Sequence, residues 1–249
     1  MAEENHGGNY TGLKHRNSQQ NHISVDGCNA ATISNLDIRA PAESPNTDGI
    51  DISGSTHIRI HDCLVATGDD CIAIKAGTSN VNISNIACGP GHGISIGSLG
   101  EDGNDDQVEG ISITNSNFTR TENGVRIKTW QGGSGFAKNI TFSGITFIAV
   151  DNPIIIDQHY CPHKKCADKS TSAVKISDVK YSGLHGSSIS KTATINFSCS
   201  TTVPCTNIVM DDVDIESADQ SHHSATAYCT NAQGKAHAVH PSVNCLINY

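Results

Sequence analysis

A repeated strand motif is the feature that most constrains how this chain can fold. Seven segments alternate apolar and polar residues, as β-strands do, and their central apolar residues recur every 23 to 34 positions. These anchor residues are Ile33, Ile60, Ile83, Ile113, Phe142, Ile176 and Met210. A repeat of this length predicts a solenoid, because one such unit can bury its apolar side chains only against neighbouring units. No segment shows a convincing helical period of 3.6 residues, so the sequence predicts an all-β protein.

The fold predicted from this repeat is a right-handed, single-stranded parallel β-helix. Each copy would form one coil of about three short strands, and the coils would stack at roughly 4.8 Å per layer. The right-handed sense follows from the twist preference of strands. We expect residues 1–249 to form one domain, since composition shows no break. Residues 217–249, where the motif is lost, are expected to form a disulfide-stapled cap, and the first coil an unprotected edge.

A second motif places polar residues in the turns that lead into strands. It occurs as PNTDGIDI (45–52), TGDDCIAI (67–74) and GPGHGISI (89–96). Aligning the three segments puts Asp48, Asp70 and His92 in one column at intervals of 22 residues. Asp69 lies beside this column, and the alignment also stacks Ile50 with Ile72 and Ile94, and Ile52 with Ile74 and Ile96.

The three aspartates of this motif predict acid–base chemistry. Neighbouring carboxylates raise one another's proton affinity, so one can stay protonated as a general acid while the others remain ionised. Such a set meets the requirement of glycoside hydrolysis. The same residues also fit a Ca²⁺ site or the capping of polar turns, and His92 alone would fit a structural role.

Two cations and an aromatic residue follow on the next aligned strands. Arg126 and Lys128 share the outward face of NGVRIKTW (123–130), where they predict binding of a carboxylated substrate. The alternative for them is a solvated basic pair. Tyr160 ends the following strand, where it either stacks on a sugar or packs internally. One further cluster lacks the spacing of a zinc finger, so no zinc site is predicted there: His159, Cys161, His163 and Cys166.

Composition narrows the cellular setting. A net charge of −9 argues against a general nucleic-acid or membrane-surface binder, and no apolar run approaches the length of a membrane span. Ten cysteines and five N-x-S/T sequons (Asn9, Asn82, Asn117, Asn139 and Asn196) favour a secreted protein with disulfides and glycans. Residues 1–20 nonetheless contain no apolar segment typical of a signal peptide.

The cysteines pair most naturally when they are close in sequence. Four pairs would each close a short loop: Cys71–Cys88, Cys161–Cys166, Cys199–Cys205 and Cys229–Cys245. The pairing of Cys28 and Cys63 stays open.

Together these residues resemble the plant-type polygalacturonases of glycoside hydrolase family 28. Four signatures of that family occur in order: NTDG at Asn46, GDD at Gly68, GHG at Gly91 and RIK at Arg126. The resemblance implies a parallel β-helix that hydrolyses α-1,4 bonds in polygalacturonic acid (pectin), with inversion and without a metal or other cofactor. It implies a monomer that acts in the extracellular cell wall, and we favour internal attack over attack from chain ends.

The resemblance also implies a role for each site residue. Asp69 would be the general acid, Asp48 and Asp70 would activate the water, and His92 would support the protonation of the acid. Galacturonate would be bound by Asn46, Arg126, Lys128 and Tyr160. Members of the family carry further coils at their front, so we expect this chain to be a truncated form. An inactive wall-binding form and a calcium-dependent pectate lyase are the alternatives.

Overall fold

The protein is a parallel β-helix built from two long sheets. A computed structural model describes residues 7–162, 173–219 and 224–248. Within these ranges it has 21 strands and one short 3₁₀ turn, Glu101–Gly103, and every ladder between the strands is parallel. The predicted all-β parallel fold is therefore confirmed.

The first sheet contains 13 strands. In chain order they are β1 (Gly8–Thr11), β2 (Lys14–Arg16), β4 (Asn29–Ser34), β5 (Asp37–Arg39), β7 (Thr56–Ala66), β9 (Thr78–Cys88), β11 (Asp105–Thr114), β12 (Asn117–Thr119), β14 (Ser134–Val150), β16 (Lys175–Ser188), β18 (Cys205–Ser217), β20 (Ala232–His240) and β21 (Ile247–Asn248).

The second sheet contains 8 strands and carries the candidate site. These are β3 (Ile23–Asp26), β6 (Ile50–Ser53), β8 (Ile72–Ile74), β10 (Ile94–Leu99), β13 (Asn123–Thr129), β15 (Asn152–Asp157), β17 (Ile195–Ser198) and β19 (Ala227–Thr230). The predicted isoleucine columns are confirmed, because Ile50 pairs with Ile72 and Ile72 with Ile94. These side chains are fully buried, so the alternate residues of each strand face outward.

One anchor residue of the predicted repeat was wrong. In the first sheet the partner of Phe142 is Tyr181, and Ile176 pairs with Ala137 instead. Ile176 and Tyr181 are both fully buried, because the inward–outward alternation continues on both sides of a turn residue, Asp178. Alternation alone therefore could not fix the register of this coil. The aromatic ring of Tyr181 stacks on Phe142 with 5.1 Å between the ring centroids.

Two columns of left-handed residues bend each coil of the first sheet. The ladder registers align Ala30, His57, Asn80, Gly110, Asn139, Asp178 and Asn207 in one column. They align Asn35, Asp62, Asn85, Asn115, Gly144, Gly183, Asp212 and Ala238 in the other. All of these residues have φ between 49° and 68°. Asn, Asp and Gly tolerate this conformation best, which explains their abundance in the turns.

Three of the predicted disulfides are confirmed: Cys71–Cys88, Cys199–Cys205 and Cys229–Cys245. Cys28 and Cys63 are free, and the predicted Cys161–Cys166 pair involves a residue outside the described ranges. The coil continues past residue 217, since β19 pairs with β17 and β20 with β18. The capping role of residues 217–249, like the single-domain assignment, stays a prediction. None of the described segments forms a helix long and apolar enough to cross a bilayer.

Candidate active site

A polar cavity of about 340 Å³ lies on the outward face of the second sheet. Six of the eight predicted site residues line it: Asn46, Asp48, Asp69, Asp70, Lys128 and Tyr160. The other two, His92 and Arg126, reach it through the carboxylates that they contact. The structure therefore brings all eight predicted residues into one region.

Close packing between coils explains the glycines of the aspartate and histidine signatures. Asp69 and Asp70 lie in the turn between β7 and β8, directly after Gly68. A Cβ on Gly68 would lie 2.0 Å from the backbone oxygen of Ser44, so only glycine fits. Gly93 has φ +86°, and its Cβ would lie 2.2 Å from the backbone oxygen of Asn123. These glycines let adjacent turns approach closely enough for their polar side chains to meet.

Asp70 is a buried carboxylate held by two cations. Its Oδ1 accepts hydrogen bonds from Ser95 Oγ at 2.8 Å and Arg126 Nη2 at 3.0 Å. Its Oδ2 accepts one from Lys128 Nζ at 2.9 Å. The side chain of Asp70 is only 2% exposed, and those of Arg126 and Lys128 are 12% and 10% exposed. The two cations therefore neutralise Asp70, and an anionic ligand would compete with it for them.

Asp69, His92 and Glu122 form a chain of charged contacts. Nδ1 of His92 lies 3.0 Å from Asp69 Oδ1, and Nε2 lies 3.2 Å from Glu122 Oε2. The hydrogen bond to Asp69 raises the pKa of His92; burial opposes this, and the charge of Glu122 adds to it. Burial alone would raise the pKa of Asp69, but the hydrogen bond and charge of His92, the backbone N–H of Asp70 and the charge of Lys128 together lower it. In the free protein, His92 thus holds the proton of this pair and Asp69 is ionised.

Asp48 has the opposite electrostatic surroundings. Burial, a side-chain hydrogen bond with Asp51 and the charges of Asp51, Asp70 and Asp69 raise the pKa of Asp48 to about 8. Asp51 in turn binds Lys75, whose Nζ lies 2.6 Å from Asp51 Oδ2. The site therefore contains one carboxyl, Asp48, that stays protonated at neutral pH, together with Asp69, which is ionised. That combination is what proton transfer to a leaving group and from a water requires.

Tyr160 closes one side of the cavity. Its ring packs edge-on against Trp130, with 5.7 Å between centroids, and Lys128 Nζ lies 5.3 Å from the centroid of the Tyr160 ring. Burial raises the pKa of Tyr160, so its hydroxyl stays protonated. Asn46, at φ 50°, is exposed at the rim. Both residues border the space that a ligand would enter.

Sequence reasoning missed several polar residues of the site, among them Asp51, Lys75, Ser95 and Glu122. Strand alternation offered a signal for the first three. Asp51 and Ser95 stand at outward positions between buried isoleucines, in the same row as Arg126, and Lys75 directly follows buried Ile74. Glu122 carried no such signal, since it lies in a turn and is identified only by its contact with His92.

Among the described residues, no group of three or more His, Cys, Asp or Glu side chains is arranged to hold a metal ion. The cysteine and histidine cluster noted in the sequence falls partly outside those residues, because His163 and Cys166 are not described. His159 contacts Ser198 Oγ at 3.0 Å.

Comparisons with known proteins agree with this geometry. The sequence profile of the glycosyl hydrolases family 28 matches residues 2–239. The chain is 51% identical over 239 residues to a "Probable polygalacturonase" of Arabidopsis thaliana, covering 95% of this chain and 52% of that protein. It is 44% identical over 233 residues to Polygalacturonase-2 of Solanum lycopersicum, covering 94% and 50%. The chain thus spans about half the length of these curated relatives.

The fold comparison agrees as well. The crystal structure of endo-xylogalacturonan hydrolase from Aspergillus tubingensis superposes with a TM-score of 0.79 at 26% identity. That match covers 90% of this chain and 62% of the fungal one.

Proposed function

The chain belongs to glycosyl hydrolase family 28, and from this premise we propose that it hydrolyses α-1,4-glycosidic bonds in polygalacturonate. The observation that carries the proposal is the meeting of Asp48, Asp69 and Asp70 in one cavity, with Arg126 and Lys128 bound to Asp70. Carboxyl groups in different protonation states suit cleavage of a glycosidic bond. The two cations suit a substrate that carries a carboxylate on every sugar.

In the proposed mechanism, Asp69 donates a proton to the departing glycosidic oxygen. The proton comes from His92, which shares a hydrogen bond with Asp69. Arrival of an anionic substrate raises the proton affinity of Asp69, because a like charge disfavours its ionised form. The proton then moves from His92 Nδ1 to Asp69 Oδ1, and from there to the leaving oxygen.

Asp70 is the proposed base for the attacking water. In the free protein, Arg126 and Lys128 occupy both of its carboxylate oxygens. A substrate carboxylate that draws these cations away would leave those oxygens free to accept the proton of the water. Asp48 would orient the same water by hydrogen bonding, and the anomeric carbon would be inverted because water attacks it directly.

Substrate recognition is proposed to rest on Asn46, Arg126, Lys128 and Tyr160. We further propose that the protein acts outside the cell as a monomer. The three disulfides support an oxidising compartment. The exposure of four sequon asparagines is compatible with glycosylation there: Asn9, Asn82, Asn117 and Asn139.

The test is digestion of polygalacturonate with this chain, with products resolved by size. We expect reducing sugar to be released without the ultraviolet absorbance of unsaturated ends, and we expect a chelator to have no effect. Oligomers of many lengths would indicate internal attack, and monomer alone would indicate attack from chain ends. Chelator-sensitive formation of unsaturated ends would instead identify a lyase.

Asp69→Asn is the matched variant for this assay. It should lower turnover on the order of 10²–10⁴-fold, the usual contribution of a general acid, and leave circular dichroism unchanged. Binding of polygalacturonate without hydrolysis by either protein would identify a wall-binding form.

A further inference from the structure

The cavity contains a lysine that none of the sequence signatures includes. Lys75 directly follows β8 and lines the cavity together with the carboxyl groups described above. Its Nζ donates a hydrogen bond to Asp51 Oδ2 at 2.6 Å, and the structure gives it no other hydrogen bond among the described residues. The side chain of Lys75 is 44% exposed, whereas that of Lys128 is only 10% exposed. An ammonium group has three N–H donors, so Lys75 can donate to a ligand in the cavity as well as to Asp51.

Lys75 and Lys128 occupy equivalent positions on two coils. Each directly follows a buried isoleucine, and these two isoleucines lie in one ladder column with Ile96 between them. The residue after Ile96 is Gly97, which also lines the cavity, so this row has no side chain between the two lysines. A Cβ on Gly97 would lie 2.1 Å from the backbone oxygen of Lys128. The backbones that carry the two lysines are two strand spacings apart, roughly 10 Å.

This arrangement suits an anionic polymer better than a single small anion. The two ammonium groups are held by different carboxylates, Lys75 by Asp51 and Lys128 by Asp70. A ligand with one carboxylate can be bound at one of these places. A chain with a carboxylate on every sugar can present one carboxylate to each of them.

We propose that Lys75 binds a substrate carboxylate on a different sugar from the one held by Arg126 and Lys128, so that the cavity recognises two unesterified galacturonates. This assignment rests on the proposed function, which supplies the polyanionic ligand, and deepens it by adding a residue that determines specificity. The contact with Asp51 keeps the lysine within the cavity, and the substrate carboxylate is its second acceptor.

The competing role for Lys75 is to neutralise Asp51 alone. The side chain of Asp51 is only 13% exposed, so its charge needs a nearby counter-ion. In that case the lysine would matter only while Asp51 is charged. The two roles are separated by removing Lys75 from a protein in which Asp51 is already neutral.

The test is calorimetric titration with trigalacturonate and with its trimethyl ester, in the Asp69→Asn background to prevent hydrolysis. Asp51→Asn is added first, and Lys75→Met is then added to it. We expect Lys75→Met to weaken trigalacturonate binding by about threefold to fivefold, as loss of one partly exposed ion pair does, and to leave ester binding unchanged. Lys75→Arg in the same background should retain most of the affinity for the acid.

Lys138→Met, added to the same background, is the matched control. Lys138 also pairs with a carboxylate, since its Nζ lies 3.1 Å from Glu109 Oε2, but it lies on the first sheet. This variant has the same change in net charge and should bind trigalacturonate as its parent does. Equal affinities of the Lys75→Met and Lys138→Met proteins for trigalacturonate would overturn the assignment.

A direct contact is tested by ¹⁵N NMR of the lysine ammonium groups, with Lys75→Arg to assign the signal. Saturating trigalacturonate should shift the Lys75 signal, and the trimethyl ester should not. Circular dichroism of each variant checks that the fold is kept. A Lys75 signal that does not move with the acid would also overturn the assignment.

Activity is recorded separately in proteins that retain Asp69. Lys75→Met should raise KM for polygalacturonate and leave kcat close to the wild-type value, because the contact is made before and during the reaction alike. If the wild-type protein binds trigalacturonate through Lys75 but hydrolyses no polymer, the proposed function fails and the assignment stands. If the polymer is hydrolysed and Lys75→Met leaves KM unchanged, only the assignment fails.

Discussion

Asp48 binds a proton in the folded protein that it would lose in the unfolded chain. Its pKa is raised from 3.8 to about 8, chiefly by burial and by Asp51. Below the unfolded value both states are protonated, so the group costs no stability there. Between about pH 4 and pH 8, the Asp48 carboxyl ionises freely in the unfolded chain but not in the folded protein. The free energy of unfolding therefore falls as the pH rises through this range. The candidate site therefore reduces stability at neutral pH.

Replacing Asp48 should stabilise the fold while damaging the site. We expect Asp48→Asn to raise the free energy of unfolding by about 1–3 kcal/mol at neutral pH, because the variant has no ionised form to favour the unfolded chain. At a pH below the usual carboxyl pKa, the gain should disappear. Urea denaturation of both proteins at the two pH values is the measurement. An equal increase in the free energy of unfolding at both pH values would show that burial of the Asp48 charge is not the cause.

Arg126 supports Asp70 as well as facing the substrate region. We expect Arg126→Ala to raise KM for polygalacturonate and also to lower kcat and stability, because Asp70 would keep only Lys128 and Ser95 as partners. Loss of one hydrogen bond to a buried charge costs about 1.5–3 kcal/mol. Arg126→Lys should recover part of the stability. Kinetics and urea denaturation of the three proteins test this; a change in KM alone would mean that Arg126 acts only in binding.

At the residue level, the sequence predicted charged groups but not their partners. Asp48, Asp69 and Asp70 follow from the aligned turns, yet the alignment did not show that His92 bonds Asp69 or that both cations bond Asp70. Such contacts depend on side-chain reach between coils. The protonation states follow from these contacts, so they could not be predicted from the sequence either.

The turn element that holds Asp69 and Asp70 depends on the absence of a side chain at Gly68. A methyl group there would meet Ser44 backbone atoms, so the turn would have to move. We expect Gly68→Ala to lower the free energy of unfolding by about 1–3 kcal/mol and to reduce hydrolysis, since both aspartates follow directly. Thermal denaturation and reducing-sugar release measure the two effects. Gly8→Ala is the control, because a Cβ at Gly8 has no atom within 4 Å.

At the element level, periodicity predicted the strands and their stacking but not every register. The spacing of Ile50, Ile72 and Ile94 is constant, so their column was predicted correctly. The coil that contains Ile176 and Tyr181 is separated from its neighbour by a longer segment, and the same alternation fits two registers. The choice between them is made by packing, in which Tyr181 stacks on Phe142 and Phe197.

At the scale of the whole molecule, the net charge of the protein has the same sign as that of the proposed substrate, so the two repel one another. The chain carries a net charge of −9, and polygalacturonate is a polyanion. Four aspartates line the cavity with only two lysines, Lys75 and Lys128. Protonation of Asp48 removes one of the four negative charges, and the contact between Arg126 and Asp70 brings a third cation to the site. We therefore expect the proton on Asp48 to favour binding of an anionic polymer.

Affinity for polygalacturonate should accordingly fall as the pH rises through about 8, where Asp48 ionises. We expect a loss of about threefold to tenfold, since one more like charge would lie close to the bound carboxylates. Calorimetric titration of the Asp69→Asn variant measures binding without hydrolysis, and because the charge of Asp69 is one cause of the raised Asp48 pKa, the fall should be centred at a somewhat lower pH in this variant. Methyl-esterified pectin, which lacks the charge, should show little change over the same pH range. The double variant with Asp48→Asn should bind polygalacturonate with no such fall, and a fall of the same size in that variant would assign the effect to another group.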